Sequence, residues 1–193
     1  SILISFFIVI NFNTNILINT ILISSALYLF FITLRDFFNK KYKNFAQNTA
    51  HFGFSLLILS ILFNNLFSSE IITNLKVGET YDNSKTKIVF ESINQKKEKN
   101  YKSIIANFNI TNSEGINNNL SPELRIYNQP NITTSEADIK TTLMKDKFIV
   151  INLVQNQDYF NVRYQVKPFM LWIWLSVIMI SLGGLVSFLQ KRI

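Results

Sequence analysis

The chain has no cysteine and only one histidine, His51. Without cysteine it forms no disulfide, no thiolate zinc site and no thioredoxin-like dithiol, although the redox compartment stays open. One histidine also rules out a two-histidine metal site drawn from this chain alone. The GxGxxG, P-loop and EF-hand spacings are missing. Acids stand at Glu70, Glu79, Glu91, Glu123, Glu136 and Asp138. A Ser–His–Asp triad would need His51 beside one of them, yet His51 opens an apolar run that belongs in a membrane. No internal repeat is visible.

What the chain does have is long apolar blocks. Of 193 residues, 48% are hydrophobic, and the mean hydropathy is +0.20. Residues 16–34, 48–67 and 169–189 each approach the roughly 20 residues that cross a bilayer core. Residues 1–10 are apolar but too short to span. They lack an initiator Met and a basic n-region followed by a cleavage site, so they read as the tail of a span rather than a signal peptide. Thr20 and Ser24, at i and i+4 within the first full span, suit a helix–helix contact. The expected fold is an α-helical integral membrane protein with an inserted, mainly β extracytoplasmic domain, α+β overall. Residues 1–67 carry the partial span 1–10, the spans 16–34 and 48–67, and an inner basic loop at 35–47. Residues 68–167 form the outer domain, and 168–193 the C-terminal span and basic tail.

The net charge of +7 is unevenly placed. Arg35, Lys40, Lys41 and Lys43 cluster in one loop, Lys191 and Arg192 close the chain, and the polar domain is nearly balanced. Basic residues beside spans set topology, so both clusters are read as inside and 68–167 as outside. The spread basic face of a nucleic-acid binder is lacking, and no nucleic-acid partner is expected. Tyr164, Phe169, Trp172 and Trp174 gather at the outer end of the last span, as an aromatic belt does. Pro168 fits the first helical position, which needs no amide donor. Gly183 and Gly184 offer a place for close packing. The richness in Asn, Ile, Lys and Phe fits an AT-rich genome, of an organelle or a reduced bacterium.

Residues 85–93, 101–110, 147–153 and 159–166 are rich in β-branched and aromatic residues and predict strands. Gly78, residues 82–84 and residues 115–119 predict turns. A short helix is predicted at 135–144, capped by Thr134 or Ser135. Lys96, Lys97, Lys99 and Lys102 read as a solvated hairpin tip, or as a contact for an acidic partner or haem propionates. Asn109 and Asn131 match the glycosylation pattern, as chance allows in an Asn-rich chain.

His51 has two readings. It is a neutral side chain bonding a neighbouring helix, or it is an axial ligand to haem, whose iron takes a neutral imidazole nitrogen. Ser55 lies one turn on. Gly53 would let a macrocycle or another helix approach closely. Met179 is an alternative sixth ligand, or packing.

The order LRDFFNKKY…AHFGFSLLILSILFNN, VGETY, PELRIYNQP…TTSEADIK, KDKFIVI and VRYQVKPFMLWIWLSVIMISLGGLV resembles the C-terminal part of CcmF. CcmF is the membrane haem-handling component of cytochrome c maturation. The resemblance runs from about residue 16 to the end. Ala50-His51-Phe52-Gly53 matches the family's AHLG pattern, whose histidine ligates a membrane-buried haem b. Thr134, Glu136, Ala137 and Ile139 match a TEAAI-like motif. Val77 departs from a usual proline, and Asp82-Asn83-Ser84 from a glycine-containing turn. The tryptophan-rich WWD segment, the flanking outer histidines and the other membrane histidine, all upstream in the family, are absent.

The resemblance implies a subunit or segment of the haem-ligation machinery, a non-autonomous part of a haem lyase complex. His51 would ligate haem b with Gly53 giving close approach, and the second axial ligand would come from a partner chain or the missing N-terminal portion. The implied partners are that N-terminal CcmF portion, a CcmH-like subunit, a haem-loaded chaperone, apocytochrome c and membrane lipid. The implied location is a bacterial or mitochondrial inner membrane, with 68–167 in the periplasm or intermembrane space. Two rivals stand beside it: a haem-free membrane-anchored binding or assembly module with an outward β domain, and a transporter or channel subunit.

Overall fold

A computed structural model describes residues 2–10, 15–38, 45–113, 115–154 and 158–190. The chain divides into two compact units. One comprises Ser1–Ser68, Thr142–Lys145 and Lys167–Ile193, and the other Ser69–Thr141 and Asp146–Val166.

The first unit is helical, with α1 (Ile2–Val9), α2 (Ile16–Phe38), α3 (Phe45–Phe67) and α4 (Met170–Gln190). The last three are long and apolar enough to cross a membrane. At 1.5 Å per residue they measure about 32–35 Å, against a hydrocarbon core of about 30 Å. They are apolar nearly all round, as lipid-facing helices must be. α2 runs on through Arg35 and Asp36, which pair at 3.2 Å. Lys40, Lys41, Lys43, Lys191 and Arg192 lie outside the described residues.

α2 and α3 meet along Ile23, Ala26, Leu27 and Leu59, with Phe30, Ile58 and Leu62 packed against them. Two polar contacts pin the pair. The hydroxyls of Thr33 and Ser55 lie 2.6 Å apart, and Asn48 Nδ2 donates to the Asp36 carbonyl at 3.0 Å. Neither contact was expected from the sequence. Thr20 and Ser24 lie on the edge of α2 that meets α1, bordering a cleft with Ile2. That edge of α2 is left to α1 because Ile23, Ala26 and Leu27 occupy the α3 side.

α3 and α4 approach more closely still, because glycine faces them from each side. A Cβ on Gly183 would fall 2.7 Å from both the Ala46 carbonyl oxygen and the Ala50 nitrogen. A Cβ on Gly53 would fall 3.0 Å from the Ile180 nitrogen and Met179 Cβ. Gly184 meets nothing within 4 Å. At the other end of the pair, Asn64 Nδ2 donates to the Pro168 carbonyl at 2.5 Å, and the rings of Phe63 and Phe169 lie 5.5 Å apart.

The second unit is a β-sandwich. One sheet has the order β1 (Ser69–Leu75), β10 (Phe160–Pro168), β9 (Lys145–Leu153), β8 (Asp138–Thr141). The other runs β2 (Thr80–Asp82), β3 (Thr86–Lys97), β4 (Tyr101–Asn112), β6 (Glu123–Tyr127), β7 (Thr133–Glu136), with β5 (Asn117–Leu120) paired to β4. Alternating residues of both sheets fill the core: Ile88, Phe90, Phe108 and Ile110 from one, Ile149, Ile151, Val162 and Tyr164 from the other. Phe90 and Phe108 face each other in the β3–β4 register and stack at 4.4 Å. This alternation is what strand-period sequence requires when one face is buried.

Three local expectations are corrected. Residues 135–144 are not a helix: β7 and β8 occupy them, followed by the turn at Thr142. Their Thr and Ile residues fit a pleated surface, and pairing with β6 and β9 supplies ladder bonds that outweigh a local cap signal. Much of the expected turn at 115–119 is taken up by β5. Pro168 closes β10 rather than opening α4, and Phe169 turns the chain with φ of 61°.

Candidate functional site

α3 has three sides, and each follows from what covers it. Gly53, Thr49 and Ala46 are buried toward α4, and Ser55 and Leu59 toward α2. The remaining side carries Gln47, His51, Phe54 and Ile61, all exposed, spaced four, three and seven residues apart. Those steps return to one helical face. His51 sits in the second turn of α3 on this exposed face, with Phe54 (54% exposed) one turn further on.

Among the described residues His51 makes no hydrogen bond, ion pair or ring contact. Ser55 is fully buried and committed to Thr33 and to the Phe52 carbonyl at 2.8 Å. The reading of His51 as a histidine bonding a neighbouring helix therefore finds no partner within the described residues of the chain. An imidazole on the lipid-facing side of a membrane helix is costly unless something satisfies it.

Gly53 lies two residues, or about 200°, around the helix from His51. Of the two approaches considered for it, the structure supplies the helix, at Met179 and Ile180. Met179 is thereby placed against α3 on the side away from His51, which is the packing role. No group of three or more His, Asp or Glu residues suited to a metal occurs among the described residues.

The sandwich carries a second cluster, which sequence reasoning missed. Glu123 of β6 and Glu136 of β7 are direct cross-strand partners, an arrangement of like charges that is unfavourable alone. Arg125 resolves it, with Nη2 3.0 Å from Glu123 Oε2 and Nη1 3.7 Å from Glu136 Oε1. Its guanidinium lies 5.3 Å from the Tyr101 ring, which meets Tyr127 at 5.2 Å. The Arg125 hydrogen bond holds the Glu123 carboxyl below its ordinary range, and the same bond raises Arg125. A signal was present in the Glu-Leu-Arg run of the strand, where i and i+2 share a face. Thr134 and Glu136 of the TEAAI-like motif thus sit on a strand, with Thr134 Oγ1 donating to Glu136 Oε1 at 3.4 Å. On the other sheet, Glu70 accepts from both Arg163 and Gln165 across the β1–β10 ladder.

The lysine run occupies a hairpin tip, as expected. Lys97 and Lys102 are cross-strand partners beside an open cleft of about 380 Å³ over Ile104 and Ile126. Lys96 pairs with Glu98 at 2.6 Å.

Comparison with known proteins agrees with this architecture. The family described as CcmF C-terminal beta-sandwich matches residues 66–168. The cytochrome c-type biogenesis protein CcmF of Escherichia coli (strain K12) is 27% identical over 143 residues, covering 74% of this chain and 22% of that protein. The cytochrome c-type biogenesis protein NrfE of Haemophilus influenzae is 23% identical over 173 residues, covering 89% of this chain and 27% of that one. A solved structure named Cytochrome c Heme Lyase CcmF has the same fold, with a TM-score of 0.67 at 14% identity, over 95% of this chain and 32% of that chain. The chain thus spans 22–27% of the length of these curated relatives. With its membrane helices and, among the described residues, ten strands forming the sandwich, the chain belongs to the CcmF family, at the C-terminal β-sandwich part of that family's fold.

Proposed function

We propose that this chain is a C-terminal portion of a cytochrome c biogenesis haem lyase, and that His51 supplies one axial ligand to a haem b held beside α3. The observation that carries the reading is the exposed His51 on the one face of α3 that neither α2 nor α4 covers.

The residues present fit half of such a site. A neutral imidazole is the nitrogen ligand haem iron takes, and Phe54 and Ile61 offer an apolar wall along the same exposed face. Bound there, haem would supply one-electron exchange at its iron. His51 would hold that iron at a fixed depth, because the helix carrying it is locked by Ser55 on one side and Gly53 on another. Gly53 would then act as a positioning residue, keeping α3 against α4. The second axial ligand would come from another chain or from an N-terminal CcmF portion.

Read by the positive-inside rule, the stretch from Arg35 to Lys43 would face the cytoplasm or matrix. The sandwich would then face the periplasm or intermembrane space. There it would dock the N-terminal CcmF portion, a CcmH-like subunit and apocytochrome c, a haem-loaded chaperone delivering the haem.

Co-expression with an N-terminal CcmF portion tests the assignment. The complex is expected to show a six-coordinate b-type haem spectrum, extractable without covalent attachment, that His51→Ala removes or shifts while the complex stays assembled. An unchanged spectrum in His51→Ala overturns the ligand assignment. An assembled complex without haem in either form favours the rival reading, a haem-free membrane-anchored assembly module.

A further inference from the structure

The turn joining β8 to β9 exposes two apolar side chains at its tip, Leu143 at 59% and Met144 at 55%. The turn is closed on itself: the Thr142 amide donates to the Lys145 carbonyl at 3.0 Å, and Thr142 Oγ1 donates to the same carbonyl at 2.6 Å. Both tip carbonyls are also occupied, one by Phe169 just ahead of α4 and one by Trp172 in its first turn. Trp172 Nε1 donates to the Leu143 carbonyl at 3.0 Å. The Phe169 amide donates to the Met144 carbonyl at 2.8 Å. Phe169 reaches that geometry by taking φ of 61°, a conformation disfavoured for a bulky residue.

These bonds set the depth of the turn. α4 has 21 residues, about 32 Å, so its first turn falls at the boundary between hydrocarbon and headgroups. Tryptophan collects at that level. Two residues on, Trp174 is 62% exposed. The turn is therefore tethered at interface depth, with its tip carbonyls satisfied and the Leu143 and Met144 side chains presented at its tip. Pairing these two carbonyls removes part of the cost of bringing non-helical backbone to the lipid boundary, where unpaired backbone groups are disfavoured. Lys145 opens β9 at the turn and Lys167 lies at the end of β10 just ahead of α4, so each of these two strands brings a cation to the level where anionic headgroups would meet it.

We infer that the Thr142–Lys145 turn is a membrane-interface anchor, with Leu143 and Met144 inserted among lipid acyl chains and Lys145 and Lys167 at the headgroups. The occupant is the bilayer itself. The inference rests on α4 being a span and is independent of haem binding.

The absence of native cysteine makes the test direct. Leu143→Cys and Met144→Cys, each carrying a nitroxide, are placed in the full chain in vesicles of phosphatidylcholine and phosphatidylglycerol. Collisions with oxygen, which concentrates in lipid, are compared with those of a water-soluble nickel chelate. Trp174→Cys serves as the lipid reference and Asn100→Cys, at the lysine hairpin tip, as the water reference. The ratio of oxygen to nickel accessibility at 143 and 144 is expected to match that at 174 and to be reversed at 100. A ratio like that at position 100 overturns the inference by placing the tip in water. Protection from both reagents overturns it equally, since a protein surface would then be the occupant. Both substituted side chains are exposed, so neither replacement disturbs packing.

Discussion

Gly183 of α4 sits so close to Ala50 of α3 that a Cβ added to it would fall 2.8 Å from the Ala50 Cβ. The neighbouring glycine, Gly184, meets nothing within 4 Å. The two form a matched pair for mutation. Gly183→Ala must push against main-chain atoms of Ala46 and Ala50 and is expected to cost about 1–3 kcal/mol. Gly184→Ala only gains helix propensity, about 0.5–1 kcal/mol. Thermal unfolding in detergent should move down for the first and remain level or rise for the second. Equal losses at both would show that α3 and α4 do not pack through Gly183.

The hydrogen bond between Thr33 and Ser55 is one of two polar links between α2 and α3 among the described residues. Thr33→Val keeps the shape and removes the hydroxyl. It is expected to cost about 1 kcal/mol, the scale of interhelical hydrogen bonds in membranes. Adding Ser55→Ala should then cost little more, because Ser55 has already lost that partner. Additive losses in a double-mutant cycle would mean the two hydroxyls act separately.

Stability of the sandwich should fall at both pH extremes for separate reasons. Glu123 has its carboxyl lowered by the Arg125 hydrogen bond, so its contribution is fully present above its ordinary 4.5 and is lost as pH falls through the depressed value. Glu123→Gln should flatten that acid limb in a melting-temperature profile. On the alkaline side, burial pushes the Tyr164 phenol up to about 12. The folded state then holds a proton that the unfolded state releases near 10, so stability falls as pH rises from 10 toward 12. Tyr164→Phe should remove that slope. A slope that survives in Tyr164→Phe would assign it elsewhere.

Orientation is checked by cysteine labelling from outside the membrane. Position 94, exposed on β3, is expected to react with an impermeant reagent, and position 39, in the basic stretch, is expected to be protected. Asn118 makes a poor reporter despite its polar surroundings, because it is only 4% exposed. Reaction at 39 with protection at 94 would invert the topology.

The three long helices and the four strand segments around 85–93, 101–110, 147–153 and 159–166 were legible in the chain. Run length and alternation are one-dimensional properties, and in lipid a backbone has few alternatives to a helix. The family resemblance was legible for a similar reason, as motifs in a fixed order. Residues 135–144 were misread because their capping signal is local. The β pairing that overrides it comes from Glu123–Tyr127 and Lys145–Leu153.

Which side of α3 each residue takes was decided only by tertiary structure. Periodicity groups Gln47, His51 and Phe54 on one face, but it does not say which face α2 and α4 leave open. That depends on where small residues let a neighbouring backbone come close. Gly53 and Gly183 admit α4, Ser55 draws α2 through Thr33, and His51 is left on the uncovered side. The same holds for Arg125, whose role between Glu123 and Glu136 exists only once β6 and β7 are in register. Sequence by itself determined the three long apolar helices and the strands β3, β4, β9 and β10, because those follow from run length and alternation along the chain. The fold decided which side chains meet, because contact depends on the packing of segments far apart in sequence.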